Sequence, residues 1–203
     1  AGTSTTCADG GVFELPGLAA HCDVHAFEPR ADSSAELIAE STEKIKTSHG
    51  GYRNLIVHPY GLASSTGAFP LHVTRIPQAS SLREPNQAVV SRWRMDRGLD
   101  VVDKVEIDCL SLADFVSRNG LDRIDFIKLD TQGTELDILL GSPDELAKIS
   151  VISSEVEFIE LYKGQSLFDD IIRHLRPHGF RFVGFRELYT LDRTPKAKNV
   201  WAE

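Results

Sequence analysis

The sequence predicts an α/β protein with a largely parallel sheet that is covered by helices on both faces. Apolar segments of strand length alternate along the chain with segments of helical spacing, which is typical of such sheets. The 203 residues are 41% hydrophobic and 26% charged, enough for one domain with a substantial core. We find no internal repeat, low-complexity tract or linker, so we expect a single domain over residues 1–203.

The first half of the chain predicts strands separated by one helix. Residues 24–29 form a short apolar run that ends at a proline, and a capping box predicts a helix over about 34–46. The next strand lies within 54–63. A turn at 64–67 then leads into 68–73, which we expect to be the return strand of a hairpin.

The second half repeats the alternation. Residues 104–109 alternate as a strand does, and Ser111 is expected to cap a helix that ends near Gly120. A strand over 151–158 precedes a helix capped by Ser166. We expect closing strands at 180–185, 187–191 and 199–201, as the antiparallel edge of the sheet.

The segment from Ile124 to Gly141, IDFIKLDTQGTELDILLG, is the most informative. An apolar strand ends abruptly at Asp130, a small turn follows, and a segment with helical spacing begins near Glu135. Ligands of open α/β sheets bind at the carboxyl ends of the strands, so Asp130 is a candidate site residue. The alternative is a carboxylate that stabilises the next helix N-terminus by ~0.3–1 kcal/mol.

Glu28 is a second candidate, because it follows the strand at 24–27. An acid at a strand end can accept both hydroxyls of a ribose, since its two oxygens match a cis-diol. The alternative is a solvated acid before Pro29.

Other polar residues fall near strand ends. His58 is a candidate base with an unperturbed pKa of ~6.5, or a structural histidine. Glu155 and Glu157 are expected on one face of the strand at 151–158, where they either orient a substrate hydroxyl or face solvent. An island of positive charge either attracts an anionic substrate or lies on a solvated helix face; its members are Arg75, Arg83, Arg92, Arg94 and Arg97.

Composition argues against several classes of protein. A net charge of -8 argues against a nucleic-acid partner. No apolar run approaches the ~18 residues of a membrane span. Cys7, Cys22 and Cys109 form no closely spaced pair, which favours reduced thiols in a cytoplasmic protein and no metal site. A nicotinamide-dependent oxidoreductase would need a GxGxxG turn after a strand, which the sequence lacks.

Several blocks resemble the FkbM-type methyltransferase family, which uses S-adenosylmethionine. IKLDTQGTE is similar to the family's hxKhDxEGxE motif, VHAFEP to hxAFEP, and SEVEFIELYKGQSLF to EhxFhxhYxGQxxF. The sequence Ser80-Ser81-Leu82 resembles a Ser-Ser-Leu loop, whereas Gln132 stands where many relatives carry Glu. The resemblance implies a Rossmann-like class I methyltransferase sheet, mostly parallel, with antiparallel edge strands and helices on both faces.

The resemblance also implies a cofactor site. Glu28 would hold the adenosine ribose, and Asp130 would lie close to the transferable methyl group. The family opens with a strand and a glycine-rich loop, and the start of this chain, AGTSTT, resembles the tail of that loop with Gly2 as its last glycine. We therefore expect an N-terminally incomplete domain whose first strand is missing from these residues.

The implied activity is methyl transfer from S-adenosylmethionine to a hydroxyl of a sugar, glycan or polyketide-like natural product. Asp130 is our first candidate for the base, His58 the second and Glu155 the third. The alternative is a methyltransferase-like domain without activity that serves as a binding or interaction module.

Overall fold

The computed structural model describes residues 19–29, 52–93 and 97–190. The strands in these ranges are β1 (Asp23–Phe27), β2 (Asn54–His58), β3 (Gly61–Ala63), β4 (Gly67–Thr74), β5 (Val101–Ser111), β6 (Ile124–Leu129) and β7 (Ile149–Ser154). The α-helices are α1 (Gln87–Val90), α2 (Leu112–Asn119), α3 (Glu135–Leu140) and α4 (Phe168–Leu175). Short 3-10 segments occupy Ala19–His21, Pro77–Ala79, Pro143–Lys148 and Arg176–His178. Gly2, the helix expected over 34–46 and the strand expected at 199–201 lie outside the described residues.

The strands of the described ranges pair in three small sheets, not in one continuous sheet. β1 and β2 are parallel and end together at Phe27 and His58. β6 and β7 are also parallel and end at Leu129 and Ser154. The third sheet has the order β3-β5-β4. The structure is thus a mixed α/β fold with parallel strand pairs, whereas a Rossmann-like strand order with helices on both faces stays a prediction.

The third sheet corrects the expected hairpin. β4 pairs antiparallel with β5, and β3 pairs parallel with the end of the same strand. Pro59 and Tyr60 separate β2 from β3, because proline cannot donate to a strand ladder. β3 has only three residues, too few to pair with all eight residues of β4. The eleven-residue β5 is long enough to pair with both strands.

Local signals for the strand–helix units are confirmed. Ser111 caps α2, since its side chain accepts the backbone N–H of Asp114 at 3.0 Å. Gly120 ends that helix in the left-handed conformation that glycine adopts readily, with φ of 60°. The expected strand, turn and helix within 124–141 are all present as β6, the turn and α3.

The C-terminal part differs from the expectation in three places. β7 ends at Ser154, four residues before the expected end. Ser166 does not cap α4; instead the Asp170 carboxylate accepts the backbone N–H of Leu167 at 3.0 Å. Residues 180–185 and 187–190 form no strand. In the first segment, Phe182 and Phe185 pack against other rings instead of entering a ladder. The ring pairs lie 4.9 to 5.9 Å apart and involve Phe158, Phe168, Phe182 and Phe185.

One hydrophobic cluster joins the two parallel strand pairs. Ile138 and Leu139 of α3 are completely buried in it, and Phe115 of α2 packs among them. Phe27 from β1 and Ile127 from β6 contact the same cluster. Each fully buried aliphatic side chain contributes roughly 1.5–3 kcal/mol, so this shared cluster fixes the strand ends relative to one another.

Gly141, directly after α3, allows a close backbone contact. A Cβ atom at this position would overlap the carbonyl group of Ser64 in the turn before β4. We expect Gly141→Ala to lower the free energy of unfolding by about 1–3 kcal/mol, because backbone atoms must move apart. Urea denaturation of both proteins measures the difference.

The control on the same helix is Leu140→Ala, which shortens a side chain that is half exposed. We expect this variant to change the free energy of unfolding by only about 0.5 kcal/mol, as is usual for surface positions. Equal stabilities of Gly141→Ala and the original protein would contradict the close contact.

Candidate active site

Two carboxyl groups meet where the parallel strands β6 and β7 end. Asp130 follows β6 and Glu155 follows β7. The backbone N–H of Glu155 donates to Leu129 O at 2.8 Å. The side-chain amide of Gln132 donates to Asp130 Oδ1 at 3.0 Å and to Glu155 Oε2 at 2.6 Å. Lys128 Nζ lies 3.3 Å from Asp130 Oδ2. The structure therefore brings the first and third candidate bases together.

Two further acids complete what we call the acidic cluster, which consists of Asp130, Glu135, Glu155 and Glu157. Glu157 accepts the side-chain amide of Gln165 at 2.9 Å. Glu155 and Glu157 both lie beyond the end of β7, so the expectation that they share a strand face is wrong. Their positions follow instead from the loop that connects β7 with α4.

Glu135 supports the turn between β6 and α3. It is only 2% exposed, and its carboxylate accepts the backbone N–H groups of Thr131 at 2.6 Å and Gly133 at 3.0 Å. The Thr131 hydroxyl donates to the same carboxylate at 3.1 Å. Glu135 thereby fixes the backbone on which Asp130 and Gln132 are mounted.

Gln132 has an unusual backbone conformation, with φ of 58°, in the left-handed region that non-glycine residues rarely adopt. The buried Ser81 hydroxyl donates to Gln132 O at 2.7 Å. The Tyr162 hydroxyl, which has one proton to donate, lies 2.8 Å from Ala79 O and 3.0 Å from Gln132 Oε1. The amide nitrogen is assigned to the side of the carboxyl groups, because an ionised carboxylate can only accept a hydrogen bond. The Ser80-Ser81-Leu82 loop thus packs on the turn that carries Asp130.

The acidic cluster retains protons near neutral pH. Desolvation, followed by the charge of Asp130, raises the pKa of Glu155 far above its usual range, although Glu155 as a whole is exposed. Burial and the nearby Glu135 raise the pKa of Glu157 to about 7. Burial also raises the pKa of Tyr162, so its hydroxyl remains a hydrogen-bond donor.

Glu28 and His58 lie together at the ends of β1 and β2. The backbone N–H of Glu28 donates to His58 O at 2.9 Å. Glu28 is only 3% exposed, so it is not the solvated acid that the sequence left open. Ribose binding by Glu28 stays a prediction, as does a cleft shared with Asp130.

His58 belongs to a packed network of rings. Its Nε2 lies 2.9 Å from His25 Nδ1, and its Nδ1 lies 3.0 Å from the Tyr60 hydroxyl. The two imidazole rings are stacked, and Phe115 packs edge-on against His58. Burial lowers the pKa of both histidines. Both ring nitrogens of His58 have partners in this structure, so action as a base would require a change of partners.

The island of positive charge serves partly to connect elements. The Arg83 guanidinium holds the carboxylate of Asp137 on α3, with its shortest contact at 2.7 Å, and also donates to Lys163 O at 3.1 Å. Arg97 and Arg75 approach Asp100 at 2.7 and 4.0 Å. Arg94 lies outside the described residues. The sequence suggested an anion site here, but these three arginines already have carboxylate partners.

A surface cavity of about 430 Å³ adjoins the cluster through Gln165, which contacts both Glu157 and the backbone of Tyr162. It is lined by Leu136, Gly164, Gln165, Ser166, Asp170, Arg173 and His174. Within the described ranges, no group of three or more His, Cys, Asp or Glu residues is arranged to hold a metal ion. None of the helices described is long and apolar enough to cross a membrane.

Parallel strands whose carboxyl ends carry a buried acid and an acidic cluster are consistent with a methyltransferase. A family model described as the methyltransferase FkbM domain matches residues 12–182, and the chain belongs to this family. The resemblance predicted from the sequence motifs is therefore confirmed.

Part of the chain is also similar to the 2-O-methyltransferase NoeI of Sinorhizobium fredii, with 38% identity over 88 residues. The matched region is 43% of this chain and 34% of that relative, so the similarity spans about a third of the relative's length. No solved structure matches the chain.

Retained protons make stability depend on pH. In the unfolded chain Glu157 ionises near pH 4.5, whereas the folded protein keeps the proton until about pH 7. The folded state thus binds more protons in this window, and this group makes the free energy of unfolding fall as pH rises through it. We expect Glu157→Gln to flatten that fall, as measured by urea denaturation at several pH values.

Glu106→Gln is the control for this measurement, because Glu106 is exposed on β5 and far from the acidic cluster in sequence. Its profile should parallel that of the original protein. Parallel profiles for Glu157→Gln and the original protein would show that Glu157 ionises normally in the folded state.

Proposed function

We propose that this protein transfers a methyl group from S-adenosylmethionine to a hydroxyl oxygen of a sugar, glycan or polyketide-like acceptor. The observation that carries the proposal is the pairing of Asp130 and Glu155 at the ends of two neighbouring parallel strands. Membership of the FkbM family supports methyl transfer. The name of the partial relative, a 2-O-methyltransferase, supports transfer to oxygen.

Glu28 fits the adenosine ribose on chemical grounds. Its carboxylate is buried at the end of β1, where an acceptor-only group suits a pair of hydroxyl donors. The resemblance implies that the backbone at Gly2 would lie close to the same cofactor. S-adenosylmethionine supplies an electrophilic methyl group on a sulfonium.

Asp130 is the residue we assign as the base. The nearby ammonium of Lys128 favours its ionised form, which can accept the proton of an acceptor hydroxyl as the oxygen attacks. Alignment of the acceptor oxygen with the methyl carbon can supply as much as ~7–11 kcal/mol of the barrier. Glu155, which keeps its proton, can donate a hydrogen bond to a neighbouring acceptor hydroxyl and hold it in place.

The role of Glu28 can be tested by binding. We expect Glu28→Ala to weaken the affinity for S-adenosylmethionine at least about tenfold, or ~1.4 kcal/mol, because two hydroxyl contacts are lost. Isothermal titration calorimetry on the full chain measures the dissociation constant. Glu106→Ala is the control and should bind normally.

An unchanged dissociation constant for Glu28→Ala would contradict the ribose role. Absence of binding by the original protein would favour the alternative of a methyltransferase-like interaction module.

The role of Asp130 can be tested by turnover. We expect Asp130→Asn to lower turnover by about 100- to 10,000-fold, because the amide cannot accept the hydroxyl proton. The assay follows transfer of a labelled methyl group to a panel of oligosaccharides and polyketide alcohols. Thermal unfolding should confirm that the variant remains folded.

Asp125→Asn is a matched control, because Asp125 lies on the same strand and is exposed. It should turn over normally. Near-normal turnover by Asp130→Asn would instead assign the base to His58 or Glu155.

A further inference from the structure

We infer that Gln132 is a positioning residue, whose side-chain amide joins Asp130 and Glu155 into one pair that binds a single proton and leaves Asp130 ionised. The inference deepens the proposed function and rests on it only for the role of Asp130 as the base. The pairing itself is a property of this chain's own side chains.

The geometry of the amide brings the two acids together. A glutamine amide has two N–H donors, and here both are used, on Asp130 Oδ1 at 3.0 Å and on Glu155 Oε2 at 2.6 Å. Two carboxyl oxygens within hydrogen-bond reach of one nitrogen are close neighbours. Two carboxylates at such a separation repel each other, so the pair is expected to ionise in two well-separated steps.

The surroundings decide which acid is ionised first. Lys128 Nζ lies 3.3 Å from Asp130 Oδ2 and stabilises a negative charge there. Among the ion pairs of the described residues, Glu155 has no cationic partner, and its acidic neighbours Glu135 and Glu157 disfavour its charge. The proton therefore stays on Glu155. Burial and these acidic neighbours all raise the pKa of Glu155.

Gln132 is held firmly enough to act in this way. Its backbone has φ of 58°, a conformation of the kind that persists only where surrounding contacts enforce it. The hydroxyl groups of Ser81 and Tyr162 bind its backbone oxygen and its side-chain oxygen. The next residue, Gly133, has φ of 96°, and a Cβ atom there would lie 3.1 Å from Gln165 Cβ. The amide thus has little freedom to turn away.

The opposite amide orientation makes a different prediction. It would direct Gln132 Oε1 toward both carboxyl groups, which could donate to it only if each carried a proton. The pair would then bind two protons. The number of protons on the pair therefore separates the two orientations.

Carboxyl ¹³C NMR titration of the full chain, labelled at Asp and Glu, counts these protons. At pH 7 we expect an ionised Asp130 and a protonated Glu155. In Gln132→Met, which removes both donors at similar volume, the midpoint of Glu155 should move by at least about one pH unit, or ~1.4 kcal/mol. In Gln132→Glu, the added acid should raise the number of protons bound by the site at pH 7.

A second variant keeps the test decisive if Gln132→Met fails to fold. Lys128→Met removes the cation beside Asp130, so the preference of the proton for Glu155 should weaken and the titration midpoint of Glu155 should fall. Ordinary titration of Glu155 in the original protein would overturn the inference. So would protons on both acids at pH 7, or unchanged midpoints in the Gln132 variants.

The result is distinguishable from a failure of the proposed function. The titration needs neither cofactor nor acceptor, so a single-proton pair in a protein that does not bind S-adenosylmethionine would refute only the proposed function. Active Gln132 variants whose pH–rate profile matches that of the original protein would refute only the inference.

Discussion

The buried carboxylate of Glu135 is the interaction on which the rest of the site depends. By accepting the backbone N–H groups of Thr131 and Gly133, it closes the turn that joins β6 to α3. Asp130 precedes this turn and Gln132 lies within it, so both would lose their defined positions without Glu135. An acid in the first helical turn also interacts favourably with the helix dipole. One side chain thus serves the backbone of the turn and the start of the helix.

Elements whose stability is local could be predicted from the sequence. The cap at Ser111, the glycine end at Gly120 and the strand, turn and helix around Asp130 depend on contacts only a few residues apart. The pairing of β4 could not be predicted, because its partner is β5, about thirty residues later in the sequence. The apolar pattern at 180–185 suggested a strand, but Phe182 and Phe185 pack on Phe168 and Phe158 instead.

The candidate site likewise combines local features that the sequence predicts with long-range contacts that it does not. The motif placed Asp130 directly after a strand, as the structure shows, but the sequence did not predict that Glu155 would be its neighbour. It gave no sign of what Gln132 contacts, since Ser81 and Tyr162 are distant in sequence and the left-handed backbone has no local signal at a glutamine. The burial of Glu28 was also left open, because a residue before proline can be exposed or covered depending on its distant neighbours.

Four acids in a partly buried site raise an electrostatic problem, since moving an ion from water into a protein interior costs several kcal/mol. The structure answers it in three ways. Glu135 receives backbone and hydroxyl donors, Asp130 receives the ammonium of Lys128, and Glu155 and Glu157 keep their protons. Only the ion pair of Asp130 with Lys128 leaves a charged oxygen that can accept a proton from a reacting hydroxyl. The electrostatics of the cluster therefore favour Asp130 as the base, independently of its position at the end of β6.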